Sequence, residues 1–474
     1  MPRHLFSGRR FDRIAAAAVG AGAAAVAAAF AHPHPDWLDS PELIAAAARP
    51  GLFHPPGSPL AVLLGHLLGR LPGAGPTGWM LVFSALSAGL ATALASLLFA
   101  AVGRRLAPAA AARSALTAPA LALALALGPG LLGQAVRPEV YCLGLVFFVA
   151  GLRELLALQH PAATDALPAG RRADRLCALL GMGLAVHPLQ AAALVPGIVW
   201  SALRRPSRRL WLAPRAAARR AAFGLLGAGP LLLLPLLVRG WVDLRFGDPT
   251  TPAGWLRYVL GLTYAPSFST PAAGGPAPGL QALAVVGLGL GLPLGLSLLA
   301  SLYPLGRRQP RLLALLLLTA LAGAAGLAGQ RAVRLDNPDA FGYALPVLLA
   351  LAAIVAGGLA TAAAALERWR SGWGRLGPGL AIGLALWAAV AQAPTRDRSG
   401  CTTGYDWAAA ALQRQPPGAV LLLGDFNLLF AVEHLTRVRG LRPDLTVLYL
   451  RDLDNGPLRR ALARSRPALA AALP

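Results

Sequence analysis

Apolar runs constrain this chain more than any motif does. Segments near 14–31, 79–102, 114–133, 138–158, 176–187, 188–203, 221–238, 279–302, 312–329, 343–365 and 377–393 are strongly apolar. Most of them are long enough to cross a hydrocarbon core about 30 Å thick; 176–187 is short. Eleven such segments predict an α-helical polytopic membrane protein. The charge content agrees, because 13% of the 474 residues are charged where a soluble domain carries about 25%. An ordinary soluble enzyme is excluded.

A net charge of +23 invites a nucleic-acid reading, since clustered basic residues neutralise phosphates. The distribution argues otherwise. All 43 basic residues are arginine. With the N-terminus cytoplasmic, one set of loops holds 24 Arg against five acids, Asp12, Glu154, Asp165, Asp174 and Glu367, and the other set holds 19 Arg against 15 acids. Most of the excess, +19, therefore marks the cytoplasmic face as the positive-inside rule requires. No nucleic-acid partner is expected. The chain reads as a multi-pass protein of a bacterial inner membrane with its C-terminal tail outside. Cys142, Cys177 and Cys401 form no CxxC or His-paired spacing, so neither a disulfide framework nor a structural zinc is indicated. The first apolar segment, ending Ala29-Phe30-Ala31, also has signal-peptide features.

The spans are almost free of ionisable side chains at mid-membrane, where ion-coupled transporters place them. Polar residues gather instead in the outer loops 32–58, 134–138, 239–278 and 330–342, and in the tail from Pro394. An active site at the outer face follows. In the first loop, HPHPDWLDSPELIAAAARPGLFHPPGSPL, Asp39 and Glu42 are three apart and share a helix face if a helix starts there. They suit a general base and its supporting acid; Asp39, Pro41 and Glu42 also fit an N-terminal capping box. His32, His34, Asp36 and His54 offer metal ligands, but without the i, i+4 spacing of a zinc motif. No metal is assigned, and a divalent cation is the one cofactor such a loop could take. Residues 59–72, with His66 and Arg70, are too short to span and read as an interfacial or re-entrant helix.

These residues resemble a known family. PDWLDSPELIAAA followed by HPPGSPLAVLLGHLLGRLP is similar to the first-loop signature of the protein O-mannosyltransferase-like membrane proteins, formerly a domain of unknown function. RPEVYCLG from Arg137, GLAVHPLQAAALVPG from Gly183, FGDPTTPAGWLRYVLGLTY from Phe246 and DNPDAFGYALP from Asp336 follow in order. Pro41 stands where the family has glycine. The resemblance implies a GT-C-like fold of about 11 helices and a glycosyltransferase that uses a polyprenyl-phosphate sugar donor. Mannose and a protein Ser/Thr hydroxyl are favoured, with an envelope glycan as the other acceptor. It makes Asp39 and Glu42 catalytic, and His54, Arg137, Glu139, Tyr141, His187, Asp248, Tyr264, Asp336 and Tyr343 site-lining for donor or acceptor. Arg137, Arg239, Arg245, Arg331 and Arg334 are the candidates to hold the leaving phosphate. A flippase or exporter of lipid-linked saccharide and a non-catalytic scaffold remain as alternatives.

Two domains are expected. Residues 1–393 form the membrane domain, with its catalytic first outer loop at 32–78, and 394–474 form a small extracytoplasmic α/β domain. Within the latter, 419–424, 427–438 and 445–450 read as strand, helix and strand.

Overall fold

A computed structural model describes residues 9–35, 38–106, 111–159, 167–262, 277–329, 333 and 335–473. Among the described residues eight helices are long and apolar enough to cross a membrane: Arg10–Ala29, Gly75–Leu106, Tyr141–Gln159, Pro214–Leu237, Pro278–Arg308, Pro310–Gly329, Asp339–Trp369 and Trp373–Arg396. The segment read as one span at 114–133 is broken. Its two helices meet at a 64° bend, where Gly128 and Pro129 interrupt the backbone ladder. The segments at 176–187 and 188–203 belong to shorter helices, Ala169–Leu184 and the apolar stretch Pro188–Leu203.

The first helices are α1 (Arg9–Ala29), α2 (Ser40–Ala48), α3 (Pro59–Gly69), α4 (Gly75–Leu106), α5 (Ala111–Ala126), α6 (Pro129–Ala135) and α7 (Tyr141–Gln159). Small residues let α1 and α4 approach closely: a Cβ on Gly20 would lie 2.6 Å from the Gly89 carbonyl oxygen. The helix Asp339–Trp369 is central and packs on α4, α6, α7 and both helices between 278 and 329. As anticipated, 59–72 gives a short helix, α3, which lies against α2 and α4.

Ion pairs sort the loops onto two ends of the bundle. At one end Asp12 meets Arg104, Glu154 meets Arg172 and Asp174 meets Arg219. At the other, the first loop, 134–139, 239–246, 336–339 and the tail interlock through Glu139, Arg137, Asp339, Arg245 and Glu433. The arginine-rich and acid-rich loop sets thus occupy opposite ends.

In the tail, β1 (Val420–Leu423) and β2 (Thr446–Tyr449) pair in parallel, Val420 opposite Thr446, around the helix Phe426–Arg437. Asp425 caps that helix by accepting the Leu428 N–H at 2.8 Å. The helix packs directly on α2, so the tail covers the first loop.

Candidate active site

Local sequence explains the shape of the first loop. Pro41 falls in the first turn of α2, where no backbone donor is lost. Asp39 precedes the helix but makes no capping hydrogen bond with its side chain. The capping-box reading therefore fails, and the Asp39 carboxylate is left for other work. Its partner arrives from HPPGSP. Gly57 sits at φ 93°, and a Cβ there would stand 2.5 Å from a Leu234 methyl, so only glycine lets the chain turn here. Ser58 anchors the far side by donating to the Val186 carbonyl at 2.7 Å.

This turn delivers His54 between the two acids. Its Nδ1 lies 2.6 Å from Glu42 Oε2, its Nε2 lies 3.5 Å from Asp39 Oδ2, and its backbone N–H donates to Glu42 Oε1 at 2.9 Å. Facing ligand atoms of Asp39, Glu42 and His54 fall within 4.8 Å of one another, a spacing that would fit a divalent cation. The two acids also favour the charged form of the imidazole between them. Burial alone would lower its pKa, but Asp39 and then Glu42 outweigh burial and push it up to about 10. Burial pushes Asp39 up to about 7; His54 opposes this, Asp339 and Glu42 add to it, and Arg137 opposes it. Glu42 is raised chiefly by burial, against His54.

A second layer lies beneath. Arg137, 1% exposed, pairs with Glu139 at 3.1 Å, with Asp339, and with Gln134 Oε1 at 2.9 Å. Ser40 donates to Glu139 at 3.4 Å, which ties this layer to the start of α2. Glu139 is held well above the carboxylate range, first by burial, with Arg137 pulling the other way. Beside it Tyr141, His187 and Tyr343 form an aromatic triangle with ring centres 5.0 to 5.3 Å apart. His187 also caps a short helix by accepting the Gln190 N–H.

The structure thus brings together Asp39, Glu42, His54, Arg137, Glu139, Tyr141, His187 and Tyr343. Others fall elsewhere. Asp248 is a turn residue that accepts from Thr250 N–H at 2.9 Å. Asp336 is exposed, and Asp339, three residues on, is the buried acid. The signal was present in D-N-P-D, where Asn337 accepts the Asp339 N–H and fixes the turn into the helix. Tyr264, Asp36, Arg331 and Arg334 lie outside the described residues. Tyr258, from the same motif as Tyr264, is buried and donates to the Phe53 carbonyl at 2.6 Å, bracing the His54 turn.

Two of the arginines considered for phosphate are already paired with acids. Arg137 serves Glu139 and Asp339, while Arg245 makes a two-pronged contact with Glu433 at 2.7 and 3.1 Å and a third with Asp452 at 2.6 Å. Arg239 is exposed and donates to the Pro50 carbonyl. A pocket of about 260 Å³ opens between α2, 239–246 and the tail helix, with Glu42 in its wall.

Residues 39–211 match the family model described as the protein O-mannosyl-transferase TMEM260 N-terminal domain. No curated protein matches the sequence. Among solved structures, the chain is similar to ArnT from Cupriavidus metallidurans bound to undecaprenyl phosphate, at 16% identity and a TM-score of 0.57, covering 95% of this chain and 94% of that one. It is similar also to the same protein in the apo state, at 15% identity, a TM-score of 0.55 and 94% coverage of each. The architecture is accordingly a GT-C-type membrane fold.

Proposed function

We propose, from the match of residues 39–211 to the protein O-mannosyl-transferase TMEM260 N-terminal domain, a specific glycosyl transfer. A sugar, mannose, passes from a polyprenyl phosphate to a hydroxyl acceptor, a protein serine or threonine, at the outer face of a bacterial inner membrane. The lipid carrier is supported by the undecaprenyl phosphate bound to the structural relative. The outer face is supported by the arginine asymmetry of the two loop sets.

The observation that carries the reading is the Asp39 carboxylate, not used as a cap, held beside His54 and lifted to about 7. A base works best with a pKa near the working pH, and such help is worth roughly a hundred- to ten-thousand-fold. In the step proposed, Asp39 takes the acceptor hydroxyl proton while that oxygen attacks the anomeric carbon. The bond from that carbon to the phosphate oxygen breaks, its electrons leave with polyprenyl phosphate, and the sugar inverts. Glu42 keeps His54 charged and in place, and His54 limits how far the Asp39 pKa rises. The Arg137, Glu139 and Asp339 layer positions the start of α2 from below.

The test is turnover by purified full-length protein of mannosyl phosphoundecaprenol with serine- and threonine-containing peptides, with and without chelator. Release of undecaprenyl phosphate with mannose on the peptide, undiminished by chelator, is expected. Lipid-linked sugar crossing a bilayer with no transfer would overturn the reading in favour of a flippase.

A further inference from the structure

Three interruptions in otherwise regular spans come together at one place, away from the Asp39 cluster. The helices on either side of Gly128 bend by 64°. Pro278–Arg308 is broken at Gly291, with φ 70° and ψ 161°. The last span unwinds through a π-turn, Ala388–Gln392, and a 3-10 turn, Ala393–Arg396. The Gln392 amide lies between the two glycines. A Cβ on Gly128 would stand 3.4 Å from its Oε1, and one on Gly291 would stand 2.7 Å from its Nε2 and 2.6 Å from Trp387 Cη2. Irregular backbone at membrane depth persists where it packs in protein or lines a site, and π-turns concentrate at functional places.

The unwound segment ends on Arg396. Its guanidinium lies 5.7 Å over the Phe341 ring, and its Cδ reaches within 3.7 Å of where a Gly133 Cβ would stand. Its Nε is buried with no hydrogen-bond partner among the described residues, and the charge that bears on it is a second arginine, Arg398. Arg137 and Arg245, by contrast, each carry two acids. A half-buried guanidinium with no acid paired to it among the described residues is costly unless an anion completes it. Phe341 lies in the first turn of the same helix that carries Asp339, so the ring under Arg396 and the acid paired to Arg137 enter from one element. Leu283, Leu288 and Leu292 of Pro278–Arg308, and Leu386 and Val390 of the last span, are exposed.

We propose that Arg396 holds the phosphate of the polyprenyl-phosphate donor, with the isoprene chain lying along the seam between Pro278–Arg308 and Leu376–Trp387. The assignment rests on the donor reading above. Phe341 supports the guanidinium from its ring face, and the breaks at Gly128, Gly291 and Gln392 make room for the lipid head at the membrane edge.

The experiment measures binding of labelled undecaprenyl phosphate to the full-length chain in phosphatidylcholine nanodiscs, with undecaprenol, phosphatidylglycerol and inorganic phosphate as competitors. Wild-type protein is expected to prefer undecaprenyl phosphate to all three. Arg396→Ala and Arg396→Gln weaken that binding at least tenfold, Arg396→Lys weakens it less, and Phe341→Leu weakens it about two- to fivefold through loss of the cation–π contact. Asp248→Asn, in a turn that asparagine also makes, binds as wild type. If Arg396→Ala fails to insert, the Lys and Phe341 variants carry the comparison. Unchanged binding in the Arg396 variants overturns this assignment and leaves the donor reading standing. Equal competition by phosphatidylglycerol overturns it in favour of a general phospholipid site, and wild-type protein that does not distinguish undecaprenyl phosphate from undecaprenol brings down the donor reading itself.

Discussion

Two buried clusters of basic and acidic side chains lie at the same end of the bundle, and their central acids answer burial in opposite ways. Under the tail, Arg245 meets Glu433 and Asp452. Glu433 is held below the carboxylate range, because Arg245 and Arg437 overcome its burial, and Arg245 is pushed up by Glu433. Both partners are better charged than neutral, which is how a docking contact behaves. Around Asp39 the balance is reversed, with Asp39, Glu42, Glu139 and Asp339 facing His54 and Arg137. Asp39, Glu42 and Glu139 are all raised, with burial the first cause of each. Surplus acid is costly for the fold, and it leaves a carboxylate able to accept a proton near neutral pH. The Asp452 carboxyl, on the same Arg245, is raised to about 7 by burial, so within the docking cluster it is Glu433 that carries the contrast.

The contrast can be broken in several places. Asp39→Asn has the largest expected effect: transfer falls at least a hundredfold while insertion and lipid binding persist, read by peptide mannosylation beside a lipid-binding assay. Arg245→Ala comes next. It leaves Glu433 buried without its main partner and weakens tail docking by about 3 to 5 kcal/mol, seen as faster proteolysis of residues beyond 397 and a lower unfolding midpoint. Replacing both partners, Arg245→Met with Glu433→Leu, recovers most of that loss, whereas no paired apolar substitution of Asp39 and His54 recovers transfer.

His54→Gln sharpens the electrostatic side. His54 lowers the Asp39 pKa, so its removal raises that pKa above about 7 and moves the acid limb of the pH–rate profile to higher pH. The Asp39 contribution to stability is fully present below the ordinary carboxylate pKa and is lost as pH rises through about 7. Asp248→Asn has the smallest effect, less than about 0.5 kcal/mol and no change in transfer, because its carboxylate serves a turn that asparagine also makes.

What was legible in the sequence follows from range. Asp39, Glu42 and His54 lie within one short stretch, so their meeting could be read from a helix start and a proline-glycine turn. Capping was read there too, and the structure denies it because the carboxylate turns toward His54. Glu139 could be paired with Arg137 on paper because they are neighbours. Asp339 with Arg137, Tyr258 with Phe53, and Arg245 with Glu433 join residues 188 to 205 apart, and no local pattern announces such contacts. The loop sets could be sorted by arginine count alone, since sidedness is a bulk property. Hydropathy reads length and not direction, so it does not reveal the break at Gly128.

Single-turnover transfer by the wild-type protein, measured from pH 5 to 9, reads the protonation of the proposed base Asp39. The rate should climb about tenfold per pH unit up to about 7 and then level off, as the carboxylate loses its proton. A rate that is flat across that range would contradict that assignment.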